Sequence, residues 1–582
     1  MIKIERRKLM KKNLYILLAC AVVLASCSDK IYEEINTDFT KAETINPAFQ
    51  LSYAELQIFG DMNYVDVHRL YTYAFTQHLM GCWNTTNYGG QHRMDDNEMA
   101  RPWNNLYTAA FRNLTDAIAH TDGDKEQVNV NAALRIFRVY VGSLLTDYYG
   151  DVPYTEAGLG HLTGVSQPKY DTQEELYRLF FKELKAAAGQ FDVTAKAIDS
   201  DPMFNGDIEA WRKFANSLRL RYAMRLSGFY EKDPASDIAV LAKSEFLDAL
   251  KAGVMTSSAD DACVHHDKVS YSFGQESYKD FRGNALSKYF YGNDPANNPS
   301  YVCQTFWEKL YNNHDPRTTL LCGFYIDDFM SISTGEGRLD VTDAVLATQA
   351  ANPDKDIIST VAPGEFSWDN WPTYPNISGS ALDSRMQEIK VTHDFDPAKD
   401  PRWLKPKLAN NLLRSQNPGV IMTYAEVCFL RAEAAAGLLG WETGDIAQEW
   451  YEEGIRAAIY FLTDNYNYDY VLDSDIAAYL AEPTIKWGVT PEQQKSQINT
   501  QAWILHFHNP AEAWANQRRS DIPVLTPPDP AGKNPLVDGN AIPVRLCYPL
   551  KEETYSLDAY QAAKDRVAGD YSWHARLWWD VK

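Results

Sequence analysis

Apolar side chains recur at three- and four-residue spacing in five stretches of the chain, and each stretch predicts an amphipathic helix. Between Asn131 and Tyr148 they are Leu134, Phe137, Val141, Leu144 and Tyr148, with Gly150 as the stop. From Thr172 they are Leu176, Phe180 and Leu184. Asp171 is the expected cap there, and Glu174 and Glu175 fall in the first turn, where the helix dipole favours negative charge. Trp211, Phe214, Leu218 and Tyr222 mark a third helix. Val427, Leu430, Ala434 and Leu438 mark a fourth, ended by Gly440. A fifth runs from Asp445 through Ile446, Trp450, Ile455 and Ile459. The last two form a predicted hairpin whose small residues (Ala432, Ala435, Ala436, Gly454, Ala457 and Ala458) let the helices approach closely. Such pairs are tetratricopeptide-like, although no clean repeat period is legible.

The periodicity breaks down between about residues 255 and 403. Gly, Pro, Asn, Asp and Ser become dense there, as in Tyr291-Gly292-Asn293-Asp294-Pro295 and Gly364-Glu365-Phe366-Ser367-Trp368-Asp369-Asn370-Trp371-Pro372. Irregular stretches of that length inside a folded body commonly carry function. A shorter loop-like region runs from Gly81 to Pro102. The expected architecture is therefore mainly α, a frame of helical hairpins with a few short strands. The two irregular regions form its working surface.

A different apolar run lies near the start of the chain. Lys3, Arg6, Arg7, Lys8, Lys11 and Lys12 precede an apolar stretch from Leu14 to Leu24, and Ala25-Ser26-Cys27 follows. This is the order of parts in an export signal, and the run is too short to span a hydrocarbon core of roughly 30 Å. Cys27, directly after the small residues, is what bacterial lipoprotein processing acylates. Residues 1–26 are thus expected to be removed and 27–582 to form the mature chain, tied to a membrane by lipid at Cys27.

Charge and composition narrow the function. The full chain has a net charge of −22, and residues 1–26 carry six basic side chains and one acidic one, so the mature body is more acidic still. Such a body repels nucleic acid phosphates and excludes polynucleotide binding as its role. Of eight cysteines, Cys20 leaves with the leader and Cys27 is acylated. Cys82, Cys263, Cys303, Cys322, Cys428 and Cys547 remain, scattered and without a Cys-x-x-Cys pair, so no disulfide connectivity follows. Aromatics make up 13% of the chain, with 15 Trp, 35 Tyr and 24 Phe. In polar loops, Trp and Tyr suit ligands that combine apolar faces with hydroxyls, such as sugars.

Several longer motifs stand in order along the chain. They are Leu144-Leu145-Thr146-Asp147-Tyr148-Tyr149-Gly150-Asp151-Val152-Pro153-Tyr154-Thr155-Glu156-Ala157, Pro168-Lys169-Tyr170-Asp171-Thr172-Gln173-Glu174-Glu175-Leu176-Tyr177 and Trp211-Arg212-Lys213-Phe214-Ala215-Asn216-Ser217-Leu218-Arg219-Leu220-Arg221. Tyr424-Ala425-Glu426-Val427-Cys428-Phe429-Leu430-Arg431-Ala432-Glu433-Ala434 follows, then Gln517-Arg518-Arg519-Ser520-Asp521-Ile522-Pro523, Ile542-Pro543-Val544-Arg545 and Leu577-Trp578-Trp579-Asp580. With the lipid-type leader, this ordered set resembles the SusD/RagB family of outer-membrane nutrient-binding lipoproteins. The resemblance implies a helical fold on tetratricopeptide-like pairs and a lipid-anchored protein facing the cell surface. It also implies a TonB-dependent, SusC-like barrel as partner, and an oligosaccharide or, in some members, a peptide as cargo. Ser28 and Asp29 after the lipid Cys fit surface export, while Lys30 interrupts the acidic run. From the residues themselves the motifs read as scaffold: Asn216, Arg219, Arg221 and Arg225 are expected to cap helix ends or pair with carboxylates such as Glu426 and Glu433.

For ligand binding, the first irregular region offers Trp83, Asn84, Asn87, Tyr88 and Gln91, and the second offers Trp368, Asn370, Trp371 and Tyr374. An aromatic face stacks on the C–H face of a sugar while amides reach its hydroxyls, and each buried face contributes roughly 1–3 kcal/mol. The competing roles for these side chains are pinning the loops or touching the barrel. Asp260, Asp261, Cys263, His265, His266 and Asp267 match no zinc spacing and read as a polar turn. Asp95, Asp96, Asn97 and Glu98 lack the order of a calcium loop, and His506 and His508 suggest nothing alone. No metal or cofactor is called for. Signatures of nucleophilic, metallopeptidase, phosphate-loop or dinucleotide chemistry are absent. The expected function is non-catalytic capture and delivery of a nutrient. A lipid-anchored glycan-cleaving enzyme is the rival, because a carboxylate pair needs nearness in space only. An adhesive surface protein is a third reading.

Overall fold

The computed structural model describes residues 45–81, 85–269, 280–286, 301–326, 339–365, 404–528 and 541–582, together with the single positions Glu388, Thr392 and Asp396. Helices dominate. In chain order the principal ones are α1 (Pro47–Gly60), α2 (Arg112–Thr121), α3 (Val128–Tyr149), α4 (Gln173–Ala188), α5 (Ile208–Arg225), α6 (Asp237–Ala252), α7 (Gln304–Tyr311), α8 (Tyr424–Ala435), α9 (Ala447–Tyr466), α10 (Pro491–Leu505) and α11 (Pro510–Ser520). Consecutive helices α3 to α6 pack side by side, α5 meets α8, and α8 packs on α9 and α10. This layered array of hairpins is the predicted frame. None of the described helices is long and apolar enough to cross a membrane.

Local chemistry sets the ends. Gly150 closes α3 at φ +93°, where a side chain would be strained, and its N–H returns to the Thr146 carbonyl at 2.8 Å. The cap of α4 is Thr172 rather than Asp171. Thr172 and Glu175 form a reciprocal capping box, while Asp171 folds back to accept from the backbone N–H groups of Tyr154 and Thr155 at 3.1 and 2.8 Å. The fourth predicted helix ends at Ala435, well before Gly440, because Ala436 is already extended. Close packing of α8 and α9 needs Gly454, since a Cβ there would sit 2.6 Å from the Phe429 ring.

Strands are few and short. Leu79–Met80, Tyr301–Val302, Lys407–Leu408 and Cys322–Gly323 pair antiparallel in that spatial order, and Ala262–Val264 pairs with Gly419–Met422. The region Gly81–Pro102, expected to be a loop, is mostly helical in its described part. It holds a π-turn at Thr86–Gly90 and short helices at Asp96–Met99 and Arg101–Asn105, too brief to show a period in the sequence. Cys263, Cys303, Cys322, Cys428 and Cys547 are free thiols.

Candidate functional site

The two irregular regions meet at their bases. The Thr86 hydroxyl accepts from the Gly81 N–H at 3.0 Å and donates to the Glu365 carbonyl at 3.2 Å. The turn Ala362–Glu365 is closed by the Glu365 N–H on the Ala362 carbonyl and by the Ala362 N–H on the Glu365 carboxylate, both at 3.0 Å. Gly364 sits at φ +76°, and a Cβ there would press on Pro528 and come within 3.2 Å of the Gly90 carbonyl. Three chain segments therefore converge on one small area.

Beneath it lies a separate apolar cluster of Ala74, Met80, Tyr301, Cys303 and Val361. The edge strand Leu79–Met80 delivers Gly81 to this area, and Cys303 N–H bonds the His78 carbonyl at 3.0 Å. Helix α7 is tied in through Gln304 N–H to the Val361 carbonyl at 2.8 Å and the Thr305 hydroxyl to Gln77 Oε1 at 2.7 Å. The π-turn itself is wedged in place: a Cβ on Gly89 would lie 2.6 Å from the Leu70 carbonyl and 2.9 Å from Ala74. A rigid floor thus holds the roots of the loops.

Of the predicted ligand residues, Asn87, Tyr88 and Gln91 lie on or beside this π-turn and are half-buried. Arg93 reaches the Asn87 side-chain oxygen at 3.4 Å and lies over the Tyr88 ring at 5.8 Å, while Tyr88 meets Tyr71 edge-on at 6.0 Å. Burial raises the Tyr88 phenol above its ordinary pKa, so it is a neutral donor. Trp83, Asn84, Trp368, Asn370, Trp371 and Tyr374 lie outside the described residues, as do Cys27 and the segment 1–26 expected to be removed.

The motif arginines are scaffold, as expected, though not with all the expected partners. Arg221 grips Glu426 at 2.6 and 2.7 Å and also donates to the Ile421 carbonyl. Arg225 donates to Glu512 at 2.6 Å and lies 3.4 Å from Asp147, whose other oxygen accepts from Tyr177 and the Trp579 indole. Arg219 turns instead to Glu245 and Asp248, and the partner of Glu433 is Arg519. Burial alone would raise the Glu426 carboxyl, but Arg221 and His506, 3.3 Å away, together outweigh it and hold it down to about 2. Arg518, which bonds the Asp147 carbonyl and stacks on Trp514 at 3.9 Å, is lowered by burial to about 10. Asn216 caps the end of α6 by donating to the Gly253 carbonyl at 2.9 Å.

The polar clusters weighed as metal sites have structural duties. Asp260 pairs with Lys213 at 2.7 Å, Asp261 accepts from the Tyr424 N–H at the start of α8 at 2.6 Å, and His266 bonds the Arg282 carbonyl at 3.0 Å. Asp95 caps the helix Asp96–Met99, Asp96 accepts from the Leu550 N–H, and Glu98 pairs with Arg101. Glu426, His506 and Glu512 come within ligating range of one another, but Arg221 and Arg225 already occupy the two carboxylates. His508 contacts the Tyr466 hydroxyl at 3.0 Å.

A cleft of about 720 Å³ that the sequence did not announce opens beside Trp487, between α7 and α10. Its signal was a Trp inside the turn Glu482-Pro483-Thr484-Ile485-Lys486-Trp487-Gly488.

Comparison with known proteins adds the following. The model of a family described as "Starch-binding associating with outer membrane", SusD-like, matches residues 39–351 and 386–549. A solved structure titled "Bacteroidetes AC2a SusD-like" is 70% identical, with a TM-score of 0.83 and a match covering 92% of this chain and 100% of that one. A chitin-binding protein is 29% identical, with a TM-score of 0.71 and the same coverage of 92% and 100%. A SusD homologue from Bacteroides fragilis is 20% identical at a TM-score of 0.61, again covering 92% and 100%, and shares the fold. No curated protein matches the chain.

Proposed function

The chain belongs to the SusD-like family of starch-binding proteins associating with the outer membrane, and from that premise we propose that it is a cell-surface lipoprotein that captures an oligosaccharide and delivers it to a TonB-dependent, SusC-like barrel. Lipid on Cys27 anchors it. The observation that carries the reading is the Thr86–Glu365 junction, which roots the loop bearing Trp83, Asn84, Asn87, Tyr88 and Gln91 against the stem of the loop bearing Trp368, Asn370, Trp371 and Tyr374. Aromatic and amide side chains from two distant parts of the sequence then serve one ligand. Stacking supplies most of the binding energy and the amides supply orientation, while closure over the barrel sequesters the cargo before transport. The chitin-binding relative favours a neutral polysaccharide, with chitin-type and starch-type chains as the leading cargoes.

The test uses the mature chain with Cys27 replaced by Ala, titrated with malto- and chito-oligosaccharides, other glycans and peptides, with reducing ends assayed in parallel. Retention of one glycan class without cleavage, weakened several-fold by Trp83→Ala or Trp371→Ala, is the expected result. Release of reducing ends makes the protein a glycan-cleaving enzyme instead, and exclusive retention of peptides makes it a peptide carrier. Unchanged affinity in both tryptophan variants moves the site away from these loops.

A further inference from the structure

We propose that the cleft beside Trp487 is a second aromatic subsite for a ring of a neutral glycan, distinct from the loop site; the proposal rests on the glycan-binding reading above. The observation behind it is how firmly one half-buried aromatic lining the cleft is held. Gly488 N–H donates to Gln497 Oε1 at 2.8 Å, and Gln497 Nε2 donates to the carbonyls of Lys486 and Thr484 at 2.8 and 3.2 Å. Gln494 Nε2 donates to the Gly488 carbonyl at 3.0 Å, Gln493 Oε1 accepts from Val489 N–H at 3.1 Å, and the Tyr451 hydroxyl donates to the Ile485 carbonyl at 2.8 Å. Every one of these bonds fixes the backbone on either side of Trp487.

Trp487 itself is only half-buried. One neighbour is the Tyr451 ring, 5.2 Å away and tilted by 45°, and Val489 next to it is 89% exposed. A turn with this many internal bonds has little conformational freedom left to lose when a ligand docks. The rim of the cleft carries Lys309, Glu492, Ser496 and Thr500, a mixed set of donors and acceptors. An apolar indole face bordered by such a rim matches a pyranose, which has an apolar C–H face and a ring of hydroxyls. The volume of about 720 Å³ admits more than one sugar unit.

Helix α7 relates this cleft to the loops. Its first residues, Gln304 and Thr305, are bonded to Val361 and Gln77 at the loop junction, while Lys309 in its second half and Asn313, two residues past its end, line the Trp487 cleft. Eight helical residues rise about 12 Å. The subsite is thus expected to add affinity for long chains and little for short ones.

Maltohexaose and chitohexaose, each with its disaccharide, are titrated into the mature wild-type chain and into Trp487→Ala, Trp487→Phe and Trp371→Ala. The expected result is a three- to tenfold weakening of hexasaccharide binding in Trp487→Ala, near-complete recovery in Trp487→Phe and no change for the disaccharide. Wild-type-like hexasaccharide binding by a folded Trp487→Ala, with binding lost in Trp371→Ala, overturns the subsite and leaves the loop site standing. If Trp487→Ala alone melts early, Trp487→Phe and a Val489→Asp change at the mouth of the cleft carry the test, and unaltered binding in both overturns the proposal. Binding of neither hexasaccharide by the wild-type chain removes both readings for neutral glycans of this kind.

Discussion

Thr86 and Glu365 stand 279 residues apart in sequence, and a single hydroxyl-to-carbonyl hydrogen bond of 3.2 Å joins them. Because the same hydroxyl also accepts from Gly81 N–H, one side chain sets the spacing of the two loops that carry the candidate ligand groups.

Thr86→Val keeps the shape and removes both bonds. We expect a loss of about 1–2 kcal/mol in stability, mostly from the orphaned Gly81 N–H, and a several-fold loss of glycan affinity. Urea unfolding and calorimetric titration read the two effects separately. A stable variant with full affinity means that the junction does not govern the site.

Arg221 and Glu426 form a buried, bidentate pair at 2.6 and 2.7 Å. Arg221→Met leaves the Glu426 carboxylate buried without its counter-charge and should cost about 3–5 kcal/mol. The double change Arg221→Met, Glu426→Leu should recover most of that loss, since breaking such a pair costs more than replacing it. Denaturation midpoints of the two variants decide. A single variant within about 1 kcal/mol of wild type refutes the account.

His78 is buried, with Nδ1 2.8 Å from the Thr76 hydroxyl and Nε2 3.0 Å from the Trp503 carbonyl, and burial lowers its pKa to about 3. The unfolded chain takes up a proton here near pH 6.5 and the folded chain does not. The contribution of His78 to stability is therefore present above pH 6.5 and is lost as pH falls below it, at about 1.4 kcal/mol per unit. His78→Gln removes that slope, so its stability deficit should shrink steadily from pH 7 to pH 4.5. A deficit independent of pH contradicts this.

Asp261 carries the opposite sign. Burial raises its carboxyl to about 7, despite the hydrogen bond from Tyr424 N–H. Ionising it in the folded protein is unfavourable, so stability is highest below pH 4 and declines as pH rises towards 7. Asp261→Asn keeps an acceptor for Tyr424 and should match wild type near pH 4 but gain in melting temperature at pH 8. Equal melting temperatures at both pH values would falsify the assignment.

The frame was legible in the sequence because helix periodicity is local. Leu134, Phe137, Val141 and Leu144 announce α3, and their burial follows. The misplaced cap on α4 was avoidable: Thr172 with Glu175 three residues later is a capping-box signature, stronger than the lone Asp171 before it. The short helices after Gly81 were not legible, since two turns show no period. Partner choice was harder still. Arg221 found its predicted Glu426, but Glu433 went to Arg519, because pairing across 86 or more residues depends on how helices stack rather than on spacing. Asn87, Tyr88 and Gln91 are candidates on their chemistry, and the structure adds only that they sit half-buried on or beside the π-turn. The Trp487 turn carries no periodic signal in the sequence, because its meaning lies in the bonds that hold it.

Asp147 receives the Trp579 indole N–H at 2.9 Å, across 432 residues of chain. The charge network that begins in α3 is therefore completed only when almost the whole polypeptide has appeared. Until then Arg225 and Arg518 lack the Trp579 ring that they flank at 5.4 and 5.1 Å. Such late closure delays commitment to the native core in a growing chain. A chain whose last residues close its first charge network stays longer in the loosely folded interval before its core is fixed.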